Sequence, residues 1–262
     1  MDYPELVSGI LRRRYKRFLA DVELADGTVV VAHCPNTGSM RAVNVPGCRV
    51  WLSPSTNPAR KLAWTWELIE LPRPEGGVAL ASVHTGRTNA IVEEALRGER
   101  IEPLAGYATL RREVRVGDAR RSDARRGDAR LDFRLDDPRH GTAFVEVKQV
   151  TLQEADGHGY FPDTVSERAT RHLETLAGLA ADGHRAVLLF CVAHTGIRDV
   201  APAAHLDPRY AETLRRVADA GVEVLAYGCR VSRRDGRPAG ITLAGCLPVS
   251  LHRQVHDAGV VD

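Results

Sequence analysis

Short stretches of alternating apolar and polar residues dominate the first third of the chain. Alternation with a period of two predicts half-buried β-strands, because successive side chains of a strand point to opposite faces. Clusters of turn-forming residues separate the predicted strands, which run from Arg17 to Leu24, Thr28 to His33, Arg49 to Ser53 and Leu62 to Leu71. Short strands at this spacing predict a small β-barrel.

Helical and strand patterns alternate from residue 88 onwards. Helices are predicted from Asn89 to Arg97, from about Asp163 to Ala181 and from Pro208 to Ala220. Strands are predicted around Asp132 and Glu146, from Ala186 to Val192 and from Val222 to Tyr227. Strands that alternate with helices indicate an α/β fold whose sheet is covered on its faces.

One segment repeats the tripeptide Asp-Ala-Arg, starting at Asp118, Asp123 and Asp128. The repeat has a step of five residues, which is the period of neither a helix nor a strand. We therefore predict an exposed loop from Val116 to Gly127.

Composition narrows the class of protein. The 262 residues include 36 Lys and Arg against 34 Asp and Glu, so the formal charge of +2 does not by itself predict a polyanionic partner. Basic residues are nevertheless clustered, from Arg12 to Arg17 and again between Arg111 and Arg130. No apolar stretch approaches the roughly 20 residues of a membrane span, and no signal-peptide pattern opens the chain, so a cytoplasmic protein without a membrane partner is predicted. Five scattered cysteines without a C-x-x-C pair predict reduced thiols and no zinc site.

Two carboxylates and one ammonium group are the strongest candidates for chemistry. Asp132 lies on one predicted strand, and Glu146 and Lys148 lie on another, where residues two apart point to the same face. The turn-forming segment from Asp136 to Gly141 predicts a hairpin that brings the two strands side by side. Such a group can hold a hard divalent cation and a phosphodiester.

Hydrolysis of a phosphodiester needs the ligands that these residues supply. Mg²⁺ binds one or two protein carboxylates, together with water and substrate phosphate, and we expect Mg²⁺ or Mn²⁺ between Asp132 and Glu146. Lys148 would orient the attacking water or add positive charge. A third carboxylate is expected from the helix that carries Glu93 and Glu94, and the pattern does not decide which of the two faces inward. The competing interpretation is that Glu146 and Lys148 form an ordinary pair on an exposed strand face.

Several blocks of sequence, in order along nearly the whole chain, resemble the sugar fermentation stimulation protein A family. They are Arg14 to Val22, Cys34 to Gly38, Asn57 to Leu62, Thr65 to Leu68, Arg130 to Phe133, Glu146 to Leu152 and Phe161 to Arg168. The resemblance implies an OB-like barrel in residues 1–82, followed by a PD-(D/E)xK nuclease-like α/β/α domain in residues 83–262. It also implies DNA binding without marked sequence preference. Asp132, Glu146 and Lys148 match the nuclease motif, and Glu94 is the preferred match for its helix carboxylate, with Glu93 as the alternative.

The barrel gives a second reason to expect nucleic acid. OB-type barrels bind nucleic-acid strands with a basic groove and aromatic stacking platforms, and the run from Arg13 to Phe18, predicted to lie in one β-strand, carries both chemistries. Trp64 and Trp66 lie on one strand face, where core packing is the competing interpretation for at least one of them. The predicted nucleic-acid-binding residues are Arg13, Arg14, Tyr15, Lys16, Arg17, Asn36, Arg60, Lys61 and Trp66.

Two functions are therefore carried forward from the sequence. The first is a metal-dependent nuclease acting on DNA, including single-stranded or RNA-containing DNA. The second is a DNA-binding regulator of sugar (maltose) metabolism that retains the nuclease fold without catalysis. A sheet edge near Val222 to Tyr227 would also permit a homodimer.

Overall fold

The computed structural model describes residues 1–57, 59–116 and 129–255. The predicted Asp-Ala-Arg loop lies outside these residues, except for Val116, which ends a strand. Pro58 in the family block from Asn57 to Leu62 also lies outside them.

A closed barrel of five strands occupies the first part of the chain, as predicted. Its strands are β1 (Val7–Tyr15), β2 (Leu19–Leu24), β3 (Val29–His33), β4 (Arg49–Pro54) and β5 (Trp64–Pro72). Strand β3 pairs with both β2 and β5, which closes the sheet, and β6 (Val78–Ser82) continues beside β5. The barrel encloses a core that includes Leu11, Leu52 and Trp66.

The basic run differs from the prediction. Strand β1 carries Arg12 to Tyr15, and Lys16 to Phe18 form the turn into β2, so the run does not lie in one strand. Lys16 and Arg17 have φ angles of 47° and 63°, which belong to a turn and not to a strand. Consecutive arginines hide the alternation of β1, which explains why the pattern did not predict this strand.

The second part of the chain alternates strands and helices, as predicted. In chain order the elements are α1 (Thr88–Arg97), β7 (Thr109–Val116), β8 (Ala129–Asp137), β9 (Gly141–Val150), β10 (Leu152–Gln153), β11 (Gly159–Phe161), α2 (Glu167–Ala181), β12 (Arg185–Val192), β13 (Val200–Pro202), α3 (Pro208–Asp219), β14 (Glu223–Arg234) and β15 (Arg237–Cys246). Six strands form one mixed sheet in the order β15-β14-β12-β9-β8-β7, and β10, β11 and β13 form a small second sheet. Strands β9, β12 and β14 are parallel neighbours, and the remaining pairs of the large sheet are antiparallel.

Apolar layers cover both faces of the large sheet. Alternate residues of β12, such as Leu188 and Phe190, pack against α2 and α3. The opposite face, including Leu189, packs against α1 and against the outer surface of the barrel. The barrel and the mixed sheet thus share one apolar interface, in which Trp51, Leu68 and Leu80 are the barrel's buried contributors.

Helix α2 begins later than the sequence pattern predicts. Ser166 is its N-cap, and its side chain accepts a hydrogen bond from the Ala169 N–H. Asp207 caps α3 in the same way and also accepts from the Ser166 N–H at 2.8 Å. The two helix starts are therefore tied together on one side of the sheet.

The segment from Val222 to Tyr227, predicted as a sheet edge, lies at the start of β14, and within it only Tyr227 belongs to the ladder with β15. Strand β15 pairs with β14 from Tyr227 onwards, while β12 pairs on its other side. Within the described residues, β7 and β15 are the outer strands of the large sheet. The homodimer stays a prediction. No helix in the described ranges is long and apolar enough to cross a membrane.

Candidate active site

The β8–β9 hairpin brings the predicted acidic residues together. Its ladder runs from Asp137 opposite Gly141 to Phe133 opposite Val145, as the turn-forming segment predicts. Asp137 accepts hydrogen bonds from the N–H groups of the turn, and Gly141 has a φ of 72°, which favours glycine. Continuing this register places Asp132 opposite Glu146.

The ladder is replaced by a side-chain contact at the point where the acidic residues meet. The Val147 N–H donates to Asp132 Oδ2 at 2.8 Å, in place of a backbone carbonyl. Asn89, at the start of α1, donates to Asp132 Oδ1 at 2.7 Å. The Asp132 carboxylate is thereby fixed in position by two elements that are distant in sequence.

Glu146 is almost completely buried, with 2% of its surface exposed. Its Oε1 atom contacts Lys148 Nζ and His172 Nδ1, and these two nitrogens lie 3.3 Å apart. Its Oε2 atom is buried and has no hydrogen-bond partner among the described residues. A buried carboxylate oxygen normally has a partner, so this atom marks a place where a ligand would be favourable.

The electrostatics of Asp132 and Glu146 also favour a bound ligand at this place. Burial and the nearby charge of Glu146 raise the pKa of Asp132. Burial alone would raise the pKa of Glu146, but hydrogen bonds and positive charge from His172 and Lys148 outweigh burial and lower it. Two acidic groups thus share a poorly solvated region, where a divalent cation would relieve their repulsion.

His172 is a site residue for which the sequence favours a surface or capping role, whereas the structure buries it against Glu146. It lies on the buried face of α2, together with Ala169, Leu173 and Leu176. A histidine on an apolar helical face is an available signal, but the pattern alone does not say which group it contacts. Packing of α2 on the sheet brings it to Glu146.

The structure does not bring Glu94 to Asp132 and Glu146. Its carboxylate contacts the amino group of Met1 and lies 3.3 Å from Arg100. Glu93 also points elsewhere, to Arg97 and Arg112. Asn89 is the α1 residue that reaches Asp132, and Glu94 lies five positions further along, which puts it on a different face of the helix. No group of three or more His, Cys, Asp or Glu side chains within the described ranges is arranged to hold a metal ion.

Trp66 is not available to stack on a base. It is fully buried in the barrel core, where its Nε1 donates to the Leu68 carbonyl at 3.0 Å. Core packing is therefore the correct interpretation for this tryptophan. Trp64 is partly buried and packs against the same core.

The other predicted nucleic-acid-binding residues are divided by their exposure. Arg14, Tyr15 and Asn36 are partly or fully buried, and the remaining ones are exposed. Arg14 is structural in part, because its guanidinium group donates to the carbonyls of Arg17, Asn36 and Gly38. Arg13 pairs with Asp21 at 2.7 Å while its guanidinium group lies 4.9 Å from the centre of the partly buried Tyr15 ring. Among the predicted residues, those with exposed basic side chains are Arg13, Lys16, Arg17, Arg60 and Lys61.

A pocket of about 410 Å³ lies between the barrel and the mixed sheet. Lys148 and Gln149 line it from β9, and Thr88 and Asn89 line it from the start of α1. The buried Asn36 and its neighbour Gly38 contribute from the barrel loop between β3 and β4. The predicted catalytic lysine therefore faces a pocket that both parts of the chain build.

Comparison with known families gives matches to both parts of the chain. The sugar fermentation stimulation protein RE domain matches residues 86–235, and the SfsA N-terminal OB domain matches residues 13–80. The second match agrees with the closed five-strand barrel.

Individual relatives extend over nearly the full length. A sugar fermentation stimulation protein homolog of Chromohalobacter salexigens is 69% identical over 259 residues, which is 98% of each chain. A homolog from Shewanella sp. strain ANA-3 is 50% identical over 94% of this chain and 97% of its own. The structure of Pyrococcus furiosus SfsA in complex with Ca²⁺ is similar with a TM-score of 0.79 and 28% identity, and covers 95% of this chain and 98% of that one.

Proposed function

This chain belongs to the sugar fermentation stimulation protein family, and from that premise we propose that it is a DNA-binding protein that hydrolyses phosphodiesters with a divalent metal ion. One observation carries the proposal. The buried Glu146, beside the carboxylate of Asp132 and the ammonium group of Lys148, has an oxygen with no hydrogen-bond partner among the residues that the structure describes. An ordinary exposed Glu–Lys pair would not be buried in this way.

The residues fit Mg²⁺ or Mn²⁺. Both are bound by carboxylate oxygens, often only one or two from the protein, so a third protein carboxylate is not required. Asp132 and Glu146 would hold the ion, and Glu94 is left out of the proposed set because it is paired elsewhere. The family relative from Pyrococcus furiosus is described in complex with Ca²⁺, which prefers the same class of ligand.

The side chains around the pair have distinct roles in this proposal. Asn89 and the Val147 N–H keep the Asp132 carboxylate in one orientation, and His172 does the same for Glu146. Lys148 is only 14% exposed and lines the pocket, where it can orient a water molecule or contact a phosphate oxygen. The bound cation would lower the pKa of a water molecule and neutralise charge on the phosphoryl oxygens.

The barrel supplies binding that is independent of sequence. Lys16 and Arg17 are exposed at the β1–β2 turn beside Phe18, which is 45% exposed. Arg60 and Lys61 form a second exposed basic pair. Contacts between such residues and phosphates carry no base information and weaken as the salt concentration rises.

Cleavage assays with and without metal test the proposal. Purified protein is incubated with labelled DNA in Mn²⁺, Mg²⁺ or EDTA, and we expect cleavage only with metal. Asp132→Ala and Lys148→Ala should each reduce the cleavage rate by about 100-fold or more, because each removes a group that acts in the transition state. Asp219→Ala, which changes an exposed residue of α3, is the matched control.

Metal binding gives a second measurement. Mn²⁺ should raise the melting temperature of the wild type and of Asp219→Ala, but not that of Asp132→Ala. Equal cleavage in the wild type and Asp132→Ala would refute the nuclease proposal. Salt-sensitive DNA binding without any cleavage would favour a regulator that keeps the nuclease fold.

A further inference from the structure

We propose that the pocket accepts single-stranded DNA and excludes intact duplex, an inference that rests on the proposed nuclease function and specifies its substrate. The feature that decides this is the barrel loop that passes over the pocket, which we call the roof and define as residues Cys34 to Met40. It joins the end of β3 to the segment before β4. Asn36 and Gly38 of the roof line the pocket together with Lys148.

The roof is tied to the mixed-sheet part of the chain at two points. Thr85, just before α1, donates from its hydroxyl group to the Pro35 carbonyl at 2.7 Å. The Met40 N–H donates to Asp163 Oδ2 at 2.8 Å. These contacts lie near the two ends of the roof, so the pocket-lining residues Asn36 and Gly38 are anchored on both sides along the chain.

The barrel holds the middle of the roof from the other side. Arg14 donates to the Asn36 carbonyl at 2.9 Å and to the Gly38 carbonyl at 3.0 Å. The Asn36 side chain accepts from the Gly38 N–H at 2.9 Å and is buried. The backbone of the roof is therefore hydrogen-bonded to the barrel in its middle and to the mixed-sheet part of the chain near both ends.

The space beneath the roof suits one strand. A volume of about 410 Å³ is near the lower end of the range for small-ligand pockets, so it can receive a nucleotide but not a base-paired stack. Its neutral polar lining includes Thr88, Asn89 and Gln149, and its charged lining residues are Arg112, Glu113, Lys148 and Asp163. An intact duplex could reach Lys148 only if the roof moved.

The test compares two forms of DNA in the presence of Mn²⁺. One is a linear single strand, and the other is a relaxed, covalently closed duplex circle, which offers no frayed end. We expect the single strand to be cut at least about 100-fold faster per phosphodiester, the factor that corresponds to the free energy of unpairing. Equal rates would overturn the inference and leave the nuclease proposal intact.

Two variants act on the roof in opposite directions. Asp163→Ala removes the contact to the Met40 N–H, so the preference for the single strand should fall by about 10-fold. Asp26→Ala is the matched control, because Asp26 also accepts a backbone N–H, from Thr28, but in the β2–β3 turn. Gly38→Val adds bulk among pocket-lining residues, since an added Cβ would lie 3.0 Å from Asn36 Oδ1 and 3.9 Å from Asp163 Oδ2, and single-strand cleavage should fall about 10-fold.

Binding separates failure of this inference from failure of the nuclease proposal. If the wild type cuts neither DNA, the proposed catalysis fails, and fluorescence anisotropy in Ca²⁺ then tests the substrate class alone. Tighter binding of the single strand than of the duplex circle, reduced in Gly38→Val, would support the inference. Equal binding of both, or a preference unchanged in Gly38→Val, would overturn it.

Discussion

Glu67 and Glu146 are two buried glutamates with opposite surroundings. Glu67, on β5, is fully buried, and both of its carboxylate oxygens have partners. Arg87 donates to each oxygen at 2.6 Å, and the Ser53 hydroxyl group donates to Oε1 at 2.6 Å. At Glu146 both contacts converge on one oxygen, and the other has no partner within the described residues.

The difference separates a structural ion pair from a candidate binding site. A buried carboxylate is tolerated when hydrogen bonds and an opposite charge compensate its desolvation, as they do at Glu67. Glu146 is compensated only in part, and a second acidic group, Asp132, lies beside it. Burial of charge is therefore not enough to identify a site, whereas incomplete pairing of that charge is informative.

Substituting the incompletely paired glutamate should have the largest effect, on catalysis. Glu146→Gln keeps the shape of the side chain but removes a metal ligand, so DNA cleavage should fall about a thousandfold, or about 4 kcal/mol in transition-state stabilisation. The free energy of unfolding should change by about 1 kcal/mol or less. Initial cleavage rates and urea denaturation of the same preparations measure both. If Glu146→Gln lost stability and kept the wild-type cleavage rate, Glu146 would be a structural residue, and the proposed difference from Glu67 would be refuted.

The same substitution at the fully paired glutamate should act on stability. Glu67→Gln leaves the partly buried guanidinium group of Arg87 without an anionic partner, and the free energy of unfolding should fall by about 3 kcal/mol. Cleavage per folded molecule should stay at the wild-type rate. Glu70→Gln, on the same strand, is the control and should cost less, because the arginines nearest to it are 3.7 and 3.9 Å away. A thousandfold loss of cleavage in Glu67→Gln would remove the distinction between the two glutamates.

His194 is a third buried ionisable group and extends the comparison. The folded protein favours its uncharged form. Burial lowers its pKa from 6.5 to about 4. The unfolded chain therefore binds a proton more readily than the folded one, so stability is complete above pH 6.5 and is lost as the pH falls towards 4. In His194→Asn this loss should disappear, while the Asn side chain can still accept from the Gly196 N–H.

Urea denaturation at two pH values measures the effect of His194. The stability difference between wild type and His194→Asn should shift by about 2 kcal/mol from pH 7.5 to pH 5, against the wild type at the lower pH. Taking the difference cancels the other titrating groups. A difference that does not change with pH would show that His194 is charged or solvated in the folded protein.

Local pattern predicted the helices and many of the strands, but it did not predict β1, β6, β7 or β15. The barrel, the three helices and the β8–β9 hairpin follow from alternation, helical spacing and turn residues, all of which act over a few positions. Strand β1 was hidden by consecutive arginines, and β15, beside the predicted edge at Val222 to Tyr227, had no pattern that marked it as a strand. Pairing partners of a strand depend on contacts far along the chain, which local pattern does not encode.

The candidate site was predictable to the extent that one hairpin builds it. Asp132, Glu146 and Lys148 meet because the hairpin register fixes them. His172 lies 26 positions after Glu146 and contacts it because α2 packs on the sheet. The Glu94 carboxylate instead contacts the amino group of Met1. The orientation of a helix around its own axis decides such contacts, and two adjacent glutamates such as Glu93 and Glu94 cannot be told apart before the helix is packed.

The sequence by itself determined the family, the two-part architecture and the acidic–lysine motif, because these depend on residue order and on short-range periodicity. Only the tertiary structure decided that Trp66 is core, that Glu146 has an oxygen without a partner among the described residues, and that the barrel loop from Cys34 to Met40 lines the pocket. Each of these depends on which surfaces of the barrel and of the mixed sheet come into contact. Burial and the hydrogen-bond partners of a side chain are set by that contact, and not by its neighbours in sequence.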